Sequence, residues 1–273
     1  MSRSRTTAVQ GHRFGPSPGN AWTLQADGCV SLVRAPQPPR PLRFEARPQP
    51  LAIDLAASAL VVVDMQNDFC HRRGWFAQKG IGIGPMRRPI PVLQRLLPAW
   101  RAAGAPVLWL NWGIRADRAN LPPTVLFKGK RTPDGVGYGE RSPEDHGRAL
   151  VAGDWGAAVV DELTVDARDF VVHKHRLSGF ADNELDGLLR AQGLRTLLWA
   201  GINTDRCVFS SLQDAGFLGY DNVLLADACS TPSPVSVTRA IHFLVQQLHG
   251  FVADSTALLA ALPTPSPTKE KRP

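Results

Sequence analysis

Cys207, Asp64 and Lys174 are the side chains whose types and positions in this sequence could carry out a hydrolysis. Cys207 follows a buried-strand pattern at the start of a predicted helix, where unpaired backbone N–H groups and the helix dipole favour a thiolate. Asp64 and Lys174 each end another apolar run. A thiolate can attack a carbonyl carbon, a carboxylate can move the proton, and an ammonium group can hold nearby negative charge. We therefore predict that these three residues form a catalytic group.

Each of these residues also has an ordinary structural interpretation. Free cysteines are commonly buried in cores, an aspartate at a strand end often stabilises a turn, and a lysine there is often solvated. Strand–turn–helix placement is what separates Cys207 from the remaining cysteines. The remaining cysteines are interpreted as structural residues, namely Cys29, Cys70 and Cys229.

The elements that must position these residues alternate between strand and helix patterns. Six apolar runs predict strands at residues 59–64, 105–111, 170–174, 196–201, 222–226 and 251–253. Helices are predicted at 89–103, within 147–163, and at 182–192, 204–217, 235–249 and 255–262. This alternation predicts an α/β fold, a three-layer α/β/α sandwich with a central, mainly parallel six-stranded sheet. In such sheets the ligand site lies beyond the carboxyl ends of the strands, where all three residues fall.

The chain of 273 residues divides into three predicted segments. Residues 1–50 form a Pro/Arg-rich extension, which is unsuited to helices and includes a short hairpin around Asp27-Gly28. Residues 51–262 form one α/β domain, and residues 263–273 are predicted to be a disordered tail. The irregular stretch 113–148 is long enough to be a lid, and we expect it to set substrate specificity.

Charge and composition exclude several classes of partner. The formal net charge of +7 comes from the extension and the tail, whereas residues 51–262 are balanced, so nucleic acid is not predicted as a partner. The sequence contains no apolar run of about 18 residues, so no membrane span is predicted. The scattered cysteines favour free thiols in a reducing cytoplasm. Small molecules are therefore the expected partners.

Several polar residues near the strand ends are candidates for substrate binding. His173 and His175 flank Lys174, but no third zinc ligand has matching spacing, so no metal is predicted. The glycine-rich stretches 80–84 and 135–140 do not join a strand to a helix, so no nucleotide or other cofactor is predicted. The substrate-binding candidates are Gln66, Asn67, Asn111, Trp112, Arg176 (for a carboxylate) and Gln246 (for a ureide).

Three separated motifs, VVVDMQNDF, HKHRLSGF and AGINTDRCVFSSLQDAGFLGY, resemble the isochorismatase-like cysteine hydrolases over residues 51–262. The resemblance implies a catalytic triad of Asp64, Lys174 and Cys207. It also implies a cis peptide between Ile202 and Asn203, and an oxyanion hole made by the backbone N–H groups of Asn203 and Cys207. Members of the family are often dimers or tetramers, so a homodimer or homotetramer is expected.

Within this family, AGDWGAAVVDEL and HKHRLSGF look most like ureidoacrylate amidohydrolases, and the run from Asp64 to Cys70 resembles biuret hydrolases. The resemblance implies a cysteine-dependent amidohydrolase that cleaves the C–N bond of a small amide or ureide through a thioester. A nicotinamidase-type or other small-amide hydrolase, and a non-catalytic scaffold, stay open as alternatives. His175, where those enzymes look to have a proline, and the bulky Asn203 and Arg206 are departures that concern the substrate.

Overall fold

A computed structural model describes residues 11–34 and 36–263 of the chain. The predicted disordered tail, apart from Pro263, lies outside the described residues. The strands are β1 (His12–Ser17), β2 (Asn20–Leu24), β3 (Val30–Ser31), β4 (Pro41–Phe44), β5 (Ala46–Arg47), β6 (Leu51–Asp54), β7 (Ser58–Val63), β8 (Val107–Trp112), β9 (Phe170–Lys174), β10 (Thr196–Ile202), β11 (Asp221–Ser230) and β12 (Phe251–Ala253).

The helices come after β7 in the chain, mostly between the strands from β7 to β12. They are α1 (Asn67–Cys70), α2 (Trp75–Gln78), α3 (Gly84–Arg87), α4 (Pro89–Ala102), α5 (Pro123–Gly129), α6 (Leu185–Gln192), α7 (Phe209–Phe217), α8 (Val235–Leu244) and α9 (Ser255–Ala261). Single 3-10 turns occur at Leu55–Ala57 and Trp155–Ala157, and π turns at Thr204–Val208 and Val245–His249.

Seven strands form the central sheet in the order β5-β12-β11-β10-β7-β8-β9. Six of them are parallel, and β5 pairs antiparallel with β12 at one edge. The predicted sandwich with a mainly parallel sheet is confirmed. The number of strands exceeds the expected six because two residues of the N-terminal extension join the sheet.

The core lies on both faces of this sheet. Residues 59–63 of β7 are fully buried, as are the indole rings of Trp100, Trp109 and Trp199. Successive residues of a strand point to opposite faces, so complete burial of β7 requires helices on both sides. Strand β7 lies between β8 and β10, and its carboxyl end is therefore held on both sides.

The described part of the N-terminal extension contains five short strands, β1 to β5. The predicted hairpin is confirmed: β2 pairs with β3 around Gly28, whose φ of 85° suits the turn. Strand β1 extends that hairpin to three strands, and β4 pairs with β6. The β4–β6 pairing crosses residue 50, and the boundaries of the three predicted segments stay a prediction.

The helix predicted within residues 147–163 is wrong. Only the single turn Trp155–Ala157 is present, because the backbone of this segment pairs with other loops instead. The N–H of Asn67 donates to Ala158 O, and the N–H of Val160 donates to Met65 O. The segment therefore packs against the turn that follows β7.

Two other helices begin later than predicted. The helix expected from Asp182 starts at Leu185, because Asp182 adopts a φ of 57° and its carboxylate pairs with Arg176 at 3.1 Å. Gly193 closes that helix in the left-handed conformation, as predicted. The helix expected from Thr204 is a π turn up to Val208, followed by α7. Helix α5 lies in the stretch 113–148, for which no element was predicted.

Candidate active site

Asp64, Lys174 and Cys207 converge at the carboxyl edge of the sheet. Asp64 follows β7, Lys174 ends β9, and Cys207 lies in the π turn after β10. The Nζ atom of Lys174 lies 3.1 Å from Oδ2 of Asp64, and both side chains are almost completely buried. Cys207 is also buried, and its thiol lies close enough to the Asp64 carboxylate for each group to shift the pKa of the other. The structure thus brings together the three residues that the sequence singled out.

The backbone around Asp64 directs its carboxylate into this group. Asp64 has a φ of 53°, a left-handed conformation that aspartate adopts more readily than most residues. Its Oδ1 accepts a hydrogen bond from the N–H of Trp112 at 3.1 Å. Gly201 lies beside it with a φ of 108°, and a Cβ there would lie 2.1 Å from Val63 O. Only glycine therefore allows β10 to approach β7 this closely.

The turn that carries Cys207 is fixed by its own hydrogen bonds. The peptide between Ile202 and Asn203 is cis, as the resemblance implied. Downstream, the hydroxyl of Ser211 donates to Cys207 O at 2.6 Å and accepts the N–H of Gly179 at 2.9 Å. These bonds connect the π turn to α7 and to the loop after β9.

Trp112 contacts both the lysine and the cysteine. Its Nε1 donates to Sγ of Cys207 at 3.4 Å, and Nζ of Lys174 lies 4.2 Å from the centre of its indole ring. An ammonium group over an indole face is stabilised electrostatically. The indole also stacks on the ring of Tyr138, with 5.2 Å between centroids. Trp112 therefore links Cys207 and Lys174 to the ring of Tyr138.

Burial dominates the electrostatics of the site. It raises the pKa of Asp64, and the positive charge of Lys174 and a hydrogen bond with Cys207 oppose that shift. Burial and the charge of Asp64 raise the pKa of the Cys207 thiol to about 11, while Lys174 lowers it. The expectation of a thiolate favoured by a helix dipole is therefore wrong for the free protein. The thiol carries its proton beside a carboxylate that is more basic than usual.

Asp64, Trp112 and Cys207 line a cavity of about 700 Å³, and Lys174, which is not part of the lining, pairs with Asp64. Trp75 is fixed in its wall by a hydrogen bond from Nε1 to Val136 O at 2.7 Å. Residues from the stretch 113–148 form much of the lining, as expected for a segment that sets specificity. The cavity is lined by Asp64, Phe69, Trp75, Phe76, Gln78, Lys79, Ile81, Trp112, Lys128, Arg131, Thr132, Asp134, Gly135, Val136, Tyr138, Pro143, Leu177, Asn203, Arg206 and Cys207.

Of the predicted substrate-binding residues, only Trp112 lines this cavity; Asn203, proposed for the oxyanion hole, lines it as well. Asn111, which precedes Trp112 in β8, is buried, and its Oδ1 has no hydrogen-bond partner in the described part of the chain. The side-chain oxygen of Asn203 is likewise unpaired. An amide oxygen without a partner is costly to bury, and a substrate N–H group could satisfy the one on Asn203.

The other four predicted substrate-binding residues do not line the cavity. The Gln66 amide is fully used by the backbone of Trp112 and Ala157. The Asn67 amide donates to Trp155 O, and that of Gln246 donates to His242 O. The guanidinium of Arg176 donates to Asn120 O and pairs with Asp182. The sequence shows polar residues at strand ends, but it does not show which of them already form hydrogen bonds with the backbone of other segments.

Sequence reasoning missed most of the cavity wall. Trp75, Phe76 and Tyr138 lie far from any strand end in the sequence, and packing alone brings them to the site. Asp68 positions this wall, because its carboxylate accepts the N–H groups of Trp75 and Leu150 at 3.1 and 2.7 Å. The available signal in the sequence was an aspartate, Asp68, shortly before the aromatic pair Trp75-Phe76.

His173 and His175 take no part in the catalytic group. His175 lies 3.8 Å from the carboxylate of Asp182, and burial lowers its pKa. Within the described residues, no three His, Cys, Asp or Glu side chains are grouped as metal ligands. In the same ranges, no helix has the length and apolar character needed to cross a membrane.

The fold and this buried triad define a hydrolase scaffold, and the comparisons with known proteins identify the family. The model of the isochorismatase domain matches residues 58–256. The chain belongs to the isochorismatase family, as its motifs predicted. The enzyme class predicted from the sequence, a hydrolase acting on a non-peptide C–N bond, agrees with the relatives described next.

Several similar curated proteins are ureidoacrylate amidohydrolases. The chain is 36% identical to ureidoacrylate amidohydrolase RutB of Methylobacterium radiotolerans, over 81% of this chain and 85% of that protein. It is also 36% identical to the Yersinia enterocolitica protein of the same name, over 77% of this chain and 91% of the relative. Among solved structures, N-carbamoylsarcosine amidase from Thermoplasma acidophilum is 26% identical with a TM-score of 0.56, over 72% of this chain and 96% of that one.

Proposed function

We propose that this protein hydrolyses the C–N bond of a small amide or ureide with Cys207 as nucleophile. The observation that carries this proposal is the joint burial of Cys207, Asp64 and Lys174: Cys207 and Asp64 line one cavity, and Nζ of Lys174 lies 3.1 Å from the Asp64 carboxylate. The names of the curated relatives support the amidohydrolase class. A ureidoacrylate-like or biuret-like compound is the proposed substrate.

In the first half of the reaction, Sγ of Cys207 attacks the carbonyl carbon while its proton passes to Asp64. The raised pKa of Asp64 suits this step, because a more basic carboxylate takes up a thiol proton more readily. Asp64 then gives the proton to the leaving nitrogen. The C–N bond breaks, and ammonia or an amine leaves a thioester on Cys207.

In the second half, water attacks the thioester carbon and gives its proton to Asp64. The C–S bond breaks, and the sulfur recovers the proton from Asp64, which restores the starting state. Lys174 stays 3.1 Å from the carboxylate and balances the negative charge in both halves. No other proton carrier is needed.

The oxyanion of each tetrahedral intermediate is proposed to lie against the backbone N–H groups of Asn203 and Cys207. The Asn203 N–H donates no hydrogen bond to any other residue that the structure describes, which supports this role. Such donors typically contribute about 3 kcal/mol each to transition-state stabilisation.

The two alternative functions, a metal-dependent nicotinamidase and a non-catalytic scaffold, would require different side chains at this site. A nicotinamidase-type enzyme of the metal-dependent kind would be expected to have acidic or imidazole side chains at the end of β8, where this chain has Asn111, Trp112 and Gly113. A non-catalytic scaffold would have no reason to keep a lysine–carboxylate pair buried beside a thiol, since such burial is costly.

The decisive experiment replaces Cys207 with alanine and measures release of ammonia or amine from ureidoacrylate, biuret, nicotinamide and simple carbamoyl compounds. We expect wild type to hydrolyse one ureide, Cys207→Ala to lose that activity while keeping its circular dichroism spectrum, and the exposed-cysteine control Cys29→Ala to keep it. Unchanged hydrolysis in Cys207→Ala would refute the proposal. No hydrolysis of any compound by wild type would favour the scaffold.

A homodimer or homotetramer in the cytoplasm remains our proposal for the working form. The four cysteines are free, which supports a reducing compartment. Large apolar side chains are exposed on and near α8, which supports an interface between subunits. They are Phe217, Val235, Phe243 and Leu248.

A further inference from the structure

The lining of the cavity that holds Cys207 carries an excess of positive charge, and two of its cations, Lys128 and Arg131, are exposed and so lie at its mouth. Four cations line the cavity, against a single carboxylate apart from the Asp64 of the catalytic group. The cations are Lys79, Lys128, Arg131 and Arg206, and the carboxylate is Asp134. Since like charges repel, their grouping around one opening favours an anionic ligand.

Two of these cations are already engaged by the protein. Nζ of Lys79 donates to Gly129 O at 2.8 Å. The guanidinium of Arg206 lies 3.8 Å from the carboxylate of Asp205 and donates to the hydroxyl of Ser233 at 3.5 Å. These two side chains are therefore held in place and contribute charge to the cavity without offering all their donors.

Lys128 and Arg131, unlike Lys79 and Arg206, are not engaged by other protein groups that the structure describes. Neither makes a hydrogen bond or ion pair with another residue in the described ranges, although both line the cavity. Lys128 lies in the last turn of the short helix α5 and is close enough to Cys207 and Arg206 for their charges to affect its pKa. Burial lowers its pKa, a negative charge on Cys207 raises it, and Arg206 and Arg131 lower it further. A bound anion would relieve this repulsion between cations.

The rest of the cavity fits a molecule with one charged end. Its base holds the nucleophile, and its wall is made of the rings of Trp75, Trp112 and Tyr138. Aromatic walls of this kind accept a short unsaturated or aliphatic chain, whereas a charged end needs donors. The free donors lie at the mouth, on Lys128 and Arg131.

We propose that Lys128 and Arg131 bind the carboxylate of the substrate, so that the enzyme selects ureido acids over neutral amides and ureides such as biuret. This inference rests on the proposed function, because it assumes that the carbonyl group to be cleaved lies against Cys207. The chemical class it defines is a small ureide or amide with a carboxylate at the end away from the scissile bond.

The test compares 3-ureidoacrylate with its neutral carboxamide in wild type and in Lys128→Gln/Arg131→Gln. Arg195→Gln is the matched control, since exposed Arg195 lies just before β10, at the opposite end of the strands. We expect the double variant to lower kcat/KM for the acid about tenfold, mainly through KM, and to leave the carboxamide unaffected. Lys128→Arg should retain most of the preference for the acid, and added salt should weaken it.

Equal effects of the double variant on the two compounds, or no effect on either, would overturn the inference while leaving cysteine hydrolysis intact. To separate the two proposals, both compounds are also titrated calorimetrically into Cys207→Ala, which does not need turnover. Tighter binding of the acid, lost when Lys128→Gln and Arg131→Gln are added, supports the carboxylate site even if wild type hydrolyses neither compound. Equal binding of the two compounds contradicts it.

Discussion

Replacement of Lys174 by methionine should destabilise the protein far more than removal of an exposed lysine. Methionine fills much the same volume, but it leaves the buried carboxylate of Asp64 without its partner at 3.1 Å. Coulomb's law at that distance, with an effective dielectric constant of about 20, gives an attraction of about 5 kcal/mol. Breaking a buried pair by removing one partner typically costs about 3–5 kcal/mol, so we expect a loss in that range.

The loss of stability caused by Lys174→Met should depend on pH. Burial already raises the pKa of Asp64, and loss of the Lys174 charge would raise it further. The attraction exists only while Asp64 is ionised in the wild-type protein. The stability difference between wild type and Lys174→Met should therefore be largest at alkaline pH and shrink as the pH falls through the raised pKa.

Urea unfolding of wild type, Lys174→Met and Lys174→Met/Asp64→Asn at pH 8 and at the lowest pH where all fold would measure this. The double variant should regain much of the loss, because it has no unpaired buried charge. Lys130→Met is the matched control: Lys130 lies 2.9 Å from Glu140 but is partly exposed, so its loss should cost at most about 1 kcal/mol. A loss in Lys174→Met that is independent of pH and not recovered in the double variant would refute the reasoning.

Three further outcomes follow from the same structure. The acidic limb of kcat/KM should lie above the usual aspartate range, because Asp64 must be ionised to accept the thiol proton and its pKa is raised; a limb near pH 4 would contradict this. Iodoacetamide at pH 7 should label exposed Cys29 before Cys207, whose labelling should increase as the pH approaches its pKa of about 11; rapid labelling of Cys207 would show a thiolate at rest. Asp169→Ala should cost about 3–5 kcal/mol in urea unfolding without lowering kcat, because it leaves buried donors of Arg101 and Trp109 unpaired; a loss below about 1 kcal/mol would contradict this.

The sequence predicted the sheet and the convergence of Asp64, Lys174 and Cys207 because both depend on local patterns. Runs such as residues 59–63 are apolar throughout, and parallel strands buried on both faces require that. The topology of such sheets then brings the residues at their carboxyl ends together. Asp64, Lys174 and Cys207 could therefore be placed near one another with no information on side-chain packing.

What could not be predicted depends on contacts between distant loops. The fully bonded amide of Gln66 and the approach of Tyr138 to Trp112 arise from loops that fold over the strand ends, and no sequence period encodes them. The protonation state of Cys207 was also missed, because it depends on how completely the surrounding side chains exclude water. Nearness to a helix start is visible in a sequence, whereas desolvation is not.

The two-residue strand β5 has a consequence for any shortened form of the chain. It covers the backbone of β12 through Val252 and Ala253, and Pro48 directly after it offers no N–H group for further pairing. A chain cut to the segment that matches the family model, beginning at residue 58, would leave the outermost strand, β12, with open hydrogen-bonding groups. Such a fragment would be prone to recruit a strand from another copy at this edge, so β5 protects the sheet from edge-to-edge strand pairing.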